Sequence, residues 1–286
     1  MNSISRIPLR MSRGARHRAA MAALMLTGAA SLSAQAADTD KQNDPAATSD
    51  SVLLIGGGIA IGPRFAGSKE NRVSPGLMLD YSMANGLFAS TSRGIGWGSQ
   101  TGTFSYSAAL AYRDERTDKD TKGTFGNSSG SKELRGMGRV AGSPTALLSM
   151  GYTPFAPLSI LAAIELPLSK RENGMAWSLG TSLSVYAQGA NEVALGVNAS
   201  GGDHKYMQTY FGVTAAQSQR TGYSPYSPDG GFHSIEASAT WTHKLDERWS
   251  VASSVGVTHL VGDAAKSPLA KRKTAPTAAV FVTYRY

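Results

Sequence analysis

The side chains of this chain alternate. In Gly174 to Ala187, Trp177, Leu179, Thr181, Leu183 and Val185 share one parity, while Ala176, Ser178, Gly180, Ser182 and Ser184 share the other. In Phe232 to Lys244 the pattern is sharper: Ile235, Ala237, Ala239 and Trp241 oppose Ser234, Glu236, Ser238, Thr240 and Thr242. Successive side chains of an extended strand point to opposite faces, so a period of two selects strands over helices. One face of each strand is greasy and the other small or polar. Past residue 36, no apolar run approaches the roughly 20 residues that a spanning helix needs.

Ten comparable segments run over 52–62, 73–82, 86–98, 102–113, 143–152, 158–168, 191–200, 208–216, 249–260 and 277–286. Most reach the roughly 9–11 residues with which a tilted strand crosses a bilayer. Asn85-Gly86, Gln188-Gly189-Ala190-Asn191 and Leu245 to Arg248 read as hairpin turns between them. Aromatic residues near segment ends, such as Tyr81, Tyr112, Tyr152 and Trp249, suit a membrane-interface girdle. Two segments fit poorly. Arg93-Gly94 interrupts 86–98, and Tyr210, Phe211 and Val213 do not alternate in 208–216. If all twelve candidates crossed, the long polar segment Asp114 to Val140 would fall on the periplasmic side, where turns are normally short. The count therefore stands at ten to twelve.

Alternation alone also permits a soluble β-sandwich or lipocalin-like barrel, with the greasy face inside. Such a protein would show water Lys and Glu, whereas the non-apolar face here is mostly Gly, Ala, Ser and Thr, as in a crowded lumen. The last segment, Thr277 to Tyr286, puts Val280, Val282, Tyr284 and the aromatic Tyr286 on one face, like the end of many bacterial outer-membrane barrels. Phe281 falls on the other face and spoils the alternation. The expected fold is all-β, an antiparallel transmembrane β-barrel of about 12 strands over residues 51–286.

The N-terminus fits export to that membrane. Arg6, Arg10, Arg13, Arg16 and Arg18, with no acidic residue among them, precede the small-apolar run Ala19 to Ala30. Ala34-Gln35-Ala36 then offers a small-x-small cleavage site, and 37–50 is polar. Residues 1–36 are expected to be a cleaved signal peptide, the apolar run being too short for an anchor. Without it, 23 basic residues face 20 acidic ones, a net charge of +3, and Lys271-Arg272-Lys273 is the only compact basic cluster, which a solvated loop explains. Nucleic acid is not an expected partner. The chain has no cysteine, which excludes disulfides, thiolate metal sites and a cysteine nucleophile.

Four stretches resemble the MipA/OmpV family of outer-membrane proteins. They are Phe65-Ala66-Gly67-Ser68 with Arg72-Val73, Leu134-Arg135-Gly136-Met137-Gly138, Tyr206 to Thr214 and Leu260 to Pro268, in the family's order. Pro63-Arg64-Phe65 and Arg139 depart from the family, which often carries acidic residues at these places. The resemblance implies an outer-membrane barrel whose namesake scaffolds peptidoglycan machinery, joining a murein lytic transglycosylase to a penicillin-binding synthase. It also implies a looser link to envelope stress, osmotic response and susceptibility to cationic antibiotics. It implies no catalytic constellation.

Two other classes compete. A barrel hydrolase would need a histidine near Ser or Asp. Of His204, His233, His243 and His259, the last three share parity with the apolar residues of their strands and are expected near the membrane interface. His204 follows Asp203 in a loop, where neighbouring side chains of an extended chain diverge. A small-solute pore would use Asp80, Glu165, Glu192 and Glu236 as lumen carboxylates selecting cations, unless they pair with Lys or Arg for stability. Gly56-Gly57-Gly58 lacks phosphate-loop spacing and reads as close packing in a first strand. Ser129-Gly130-Ser131-Lys132 has Ser-x-x-Lys spacing but no helix start. No catalytic residue, cofactor or metal site is expected, and the partners are outer-membrane lipid and possible peptidoglycan enzymes.

Overall fold

The computed structural model describes residues 51–119 and 130–286. The expected signal peptide, the polar segment 37–50 and Ser129 lie outside the described residues. Twelve antiparallel strands close into a barrel: β1 (Val52–Pro63), β2 (Asn71–Ser82), β3 (Leu87–Ser90), β4 (Gly94–Thr101), β5 (Phe104–Arg113), β6 (Ser143–Phe155), β7 (Leu158–Pro167), β8 (Ala176–Gln188), β9 (Asn191–Gly202), β10 (Gly231–Lys244), β11 (Trp249–Leu260) and β12 (Thr274–Arg285). Each strand pairs with its neighbours in sequence, and β1 closes on β12 from Leu54 opposite Arg285 to Ile61 opposite Ala278. Closure gives every strand a neighbour on both sides, so the ladders satisfy the paired backbone without water, as a sheet in hydrocarbon requires.

The barrel is apolar outside. Leu77 is 78% exposed and Ile95 70%, and Ile55, Leu110, Met150, Val197, Val255 and Val280 also point outward. Ser143, Thr145, Ser178, Ser182, Ser254 and Thr283 are buried on the inner face. Phe281, whose parity broke the sequence pattern, turns inward with Ala60 and Ala279. Gly58 and Gly76 make room for it, since a Cβ on Gly58 would stand 2.6 Å from the Phe281 ring. The glycine run in β1 is thus the close-packing device that the sequence suggested.

The strand count agrees with expectation, but two candidates do not. Segment 86–98 is a hairpin of two strands that turns at Thr91 to Arg93, the place where Arg93-Gly94 broke the pattern. Gly94 takes a φ of 82° there, open to glycine and costly for other residues. Segment 208–216 is not a strand. It spans two helices, α1 (His204–Phe211) and α2 (Ala215–Thr221). The physical reason lies in capping and spacing: Asp203 accepts the Tyr206 N–H at 2.7 Å, and Thr214 and Gln217 form a reciprocal capping box. Tyr206, Met207, Tyr210 and Phe211 recur at helical spacing, which places them on one face.

These two corrections sort the connections by length between the two ends of the barrel. With β3 and β4 both present, the connection 114–142 joins 64–70, 168–175, 203–230 and 261–273 at one end of the barrel. The tight links 83–86, 102–103, 156–157, 189–190 and 245–248 share the other end with both ends of the strand array. Short turns face the periplasm in bacterial barrels, and with two strands inside 86–98 the segment 114–140 no longer falls among them, which removes the misfit that marked one of the candidates as wrong.

Candidate functional site: the capped mouth of the barrel

The described parts of the long connections pack together. Phe65 from 64–70, Leu134 and Met137 from 114–142, Val213 from 203–230 and Leu269 from 261–273 form one buried cluster, with Tyr223 and Tyr226 against it. A second cluster joins Tyr206, Met207 and Phe211 of α1 to Ala176, Leu260 and Ala264. The four connections spring from different parts of the rim, so their meeting point lies over the mouth. Backbone groups lock the meeting: Val213 and Tyr226 exchange N–H···O bonds of 2.8 and 2.9 Å, and the Ser267 hydroxyl donates to the Phe211 carbonyl at 2.6 Å. All four stretches that carry the family resemblance contribute to these clusters.

Beneath α1, Arg113 at the end of β5 gathers the inner wall. Its Nε donates to Glu165 Oε1 on β7 at 3.2 Å, its Nη1 donates to the Gly174 carbonyl at 2.9 Å, and the guanidinium lies 5.3 Å from the Tyr206 ring centre. Both members of this ion pair are buried. Arg116, just past the strand, donates to the Thr209 and Tyr210 carbonyls at 2.8 Å each and so binds the C-terminal end of α1, where orphan carbonyls need donors. Burial pushes the Tyr206 and Tyr210 phenols above the usual tyrosine range, and burial likewise lowers Arg116. The site is a set of locked structural contacts.

The residues singled out in the sequence scatter around it. His204 is the exposed first residue of α1, and Asp203 is that helix's N-cap with its carboxylate on the Tyr206 N–H, so the two do not form a catalytic pair. His243 and His259 lie on the outer side near strand ends, bonded to Asn191 Oδ1 at 2.9 Å and to Thr274 Oγ1 at 2.7 Å. His233 departs from expectation. It is buried inside, 5.5 Å from the Tyr206 ring centre and 5.4 Å from that of Phe211. A register shift between Phe232 and Ser234 inserts it as an extra residue, and such a bulge re-aims a side chain that parity alone would send outward.

Of the lumen carboxylates, two are paired. Asp80 takes a bidentate contact from Arg93 at 2.8 Å, and Glu165 holds Arg113. Glu192 accepts from the Ser184 hydroxyl at 3.1 Å, and Glu236 accepts from Thr258. Ser131 caps the 3-10 turn Lys132–Leu134 by accepting the Glu133 N–H at 3.1 Å. Among the described residues, no group of three or more His, Asp or Glu side chains could hold a metal ion. Sequence reasoning missed Arg113, Arg116 and Tyr206; the helical spacing of Tyr206, Met207, Tyr210 and Phe211 was the signal that pointed to a packed α1.

A closed barrel with an aliphatic exterior, a small polar interior and a packed cap over its mouth is a transmembrane β-barrel of the outer-membrane kind. The chain belongs to the MltA-interacting protein MipA family, whose model matches residues 55–286. Among solved structures it is similar to a KdgM porin at 11% identity, covering 81% of this chain and 98% of that one with a TM-score of 0.42. A NanC porin matches at 7% identity over 81% and 98% with a TM-score of 0.44, and an anion-selective porin from Comamonas acidovorans at 9% over 82% and 98% with 0.35. No curated protein matches the chain.

Proposed function

We propose that this protein is a non-catalytic adaptor in the outer membrane of a Gram-negative bacterium, holding peptidoglycan-remodelling enzymes near the envelope. Residues 1–36 would direct its export and be cleaved off in the process. The partners would be a murein lytic transglycosylase, in keeping with the family's description as MltA-interacting, and with it a penicillin-binding synthase. The observation that carries this reading is the cap. Four connections packed into one core lie across the mouth, where an open channel would keep a clear path. An adaptor needs rigid recognition surfaces and no reacting groups. Here the periplasm-facing turns are short and held, as at Leu245 to Arg248, where Asp246 accepts the N–H groups of Arg248 and Trp249 at 2.7 Å each.

The test is affinity capture of the full protein from cross-linked membranes, with lytic transglycosylases and penicillin-binding proteins as the readout. Their recovery supports the adaptor, and their consistent absence sinks it. A small-solute pore is the second reading, favoured by the hydroxyl-rich inner wall of Ser143, Thr145, Ser178, Ser182 and Ser254. Planar-bilayer current from the purified protein would favour it over the adaptor.

A further inference from the structure

The rim above β1 carries an uncompensated positive charge over an aliphatic wall. Lys69 leads into β2 and Lys273 into β12, the two strands that flank β1. Between them, Arg272 donates from Nε to the Ser68 carbonyl at 3.1 Å and from Nη2 to Asn71 Oδ1, which fixes the 261–273 connection against 64–70. Lys271 sits 4.2 Å from the Tyr223 ring centre.

The ammonium groups of Lys69, Lys271 and Lys273 have no carboxylate partner among the described residues, and all three residues are exposed. The nearby carboxylates are engaged elsewhere. Glu70 pairs with Arg64 at 3.1 Å, and Glu133 accepts the Ser68 hydroxyl at 2.7 Å and the Lys69 backbone N–H at 3.2 Å. Directly below, β1 and β2 turn Ile59 (54% exposed), Ile61 and Val73 (58%) outward, with Ile61 paired to Val73.

A surface of this kind is complementary to an amphiphile whose anionic head sits at the rim and whose chains run down the wall. The long-connection end is the one that faces the outer leaflet, where the lipids carry phosphates on a multiply acylated sugar. We infer that Lys69, Lys271, Lys273 and the fixed Arg272 form a binding site for the phosphorylated headgroup of an outer-leaflet glycolipid, whose acyl chains pack on Ile59, Ile61 and Val73. Lysine supplies compact charges that track a phosphate without fixed geometry, and the guanidinium held by Ser68 and Asn71 keeps the two connections at one spacing. The inference shares the capped end with the adaptor reading but does not rest on it, since the partners of that reading would meet the short turns at the other end.

The test uses the purified full-length protein in detergent, native mass spectrometry and three probes: bisphosphorylated lipid A, the same lipid with its phosphates removed, and inorganic phosphate. The expected result is retention of the bisphosphorylated lipid, weak retention of the dephosphorylated one, and no displacement by inorganic phosphate at equal concentration. Each ammonium near an anionic surface contributes a factor of roughly five, so the triple variant Lys69→Gln, Lys271→Gln, Lys273→Gln should bind the bisphosphorylated lipid about a hundredfold more weakly. Heat-modifiable migration checks that the variant is folded; if it is not, the comparison of the two lipids on the unaltered protein decides. Equal retention of both lipids, displacement by inorganic phosphate, or undiminished binding by a folded triple variant overturns the site.

Discussion

The ring of Phe281 on β12 reaches past β1 to Gly76 on β2, so that a Cβ at Gly76 would stand 2.8 Å from the tip of the ring. Nothing else crowds that position within 4 Å. The two residues are therefore coupled: the ring fills the space that the missing side chain leaves. Gly76→Ala should lower stability by about 1–3 kcal/mol through overpacking. In a Phe281→Ala background the same substitution should cost close to nothing. Urea unfolding of the four proteins in a double-mutant cycle measures the coupling, and equal penalties in both backgrounds would show that the ring is not the cause.

Arg113 and Glu165 support a second prediction. Arg113→Met leaves the Glu165 carboxylate buried without its partner, and breaking a buried pair from one side costs about 3–5 kcal/mol. Adding Glu165→Gln should recover much of that loss. Because Arg113 also touches Gly174 and Tyr206, the single variant should expose the 203–230 connection to protease before the barrel unfolds.

The start of α1 separates a structural role from a catalytic one. Asp203→Ala removes the N-cap and should cost about 1 kcal/mol of cap stability. His204→Ala, on the exposed face, should change neither thermal unfolding nor any hydrolytic activity detected in the protein.

Acid should loosen the cap at Asp263. The N–H of Asp229 and then the Lys266 ammonium hold this carboxyl below the usual carboxylate range. A carboxyl with a depressed folded pKa stabilises the fold fully above its unfolded value, near 4, and loses that contribution as the pH falls through the folded value. Asp263→Asn should therefore unfold less pH-dependently below about pH 4 than the unaltered protein. Thermal melts of both across that range supply the comparison.

The absence of cysteine makes sidedness directly measurable. Ala216→Cys, exposed on α2, should react with an impermeant thiol reagent on intact cells, while Glu247→Cys in the β10–β11 turn should react only after the outer membrane is opened. The reverse pattern would invert the barrel.

Strands with one lipid face and one lumen face wrote themselves into the sequence, because each carries a local period of two. The places where the period failed were each informative. Arg93-Gly94 marked a turn, Phe281 marked a hollow made by glycines one and two strands away, and Tyr206 to Phe211 marked a helix. What no local pattern carried was the cap, since Phe65, Leu134, Val213 and Leu269 meet only after their connections fold back over the mouth. His233 escaped for a related reason: a one-residue bulge reverses parity, and nothing in the residues around it announces where the extra residue sits.

The connections above the β1–β12 closure act as a hasp. Arg272 N–H bonds the Gly67 carbonyl at 2.9 Å and its side chain bonds Ser68, so the link at the rim joins the same two ends of the chain that the ladder below joins. Strands far apart in sequence are thus fastened twice, once by the ladder and once by the loops. Unzipping the barrel at this line first requires the cap to come undone, and loss of the cap leaves the ladder still engaged. The closure is consequently a poor place for a lateral door, and any movement of lipid or polypeptide through the wall would have to begin elsewhere. Beside the short β3–β4 hairpin, β2 rises above its neighbour, since β3 pairs only with Asp80, Tyr81 and Ser82.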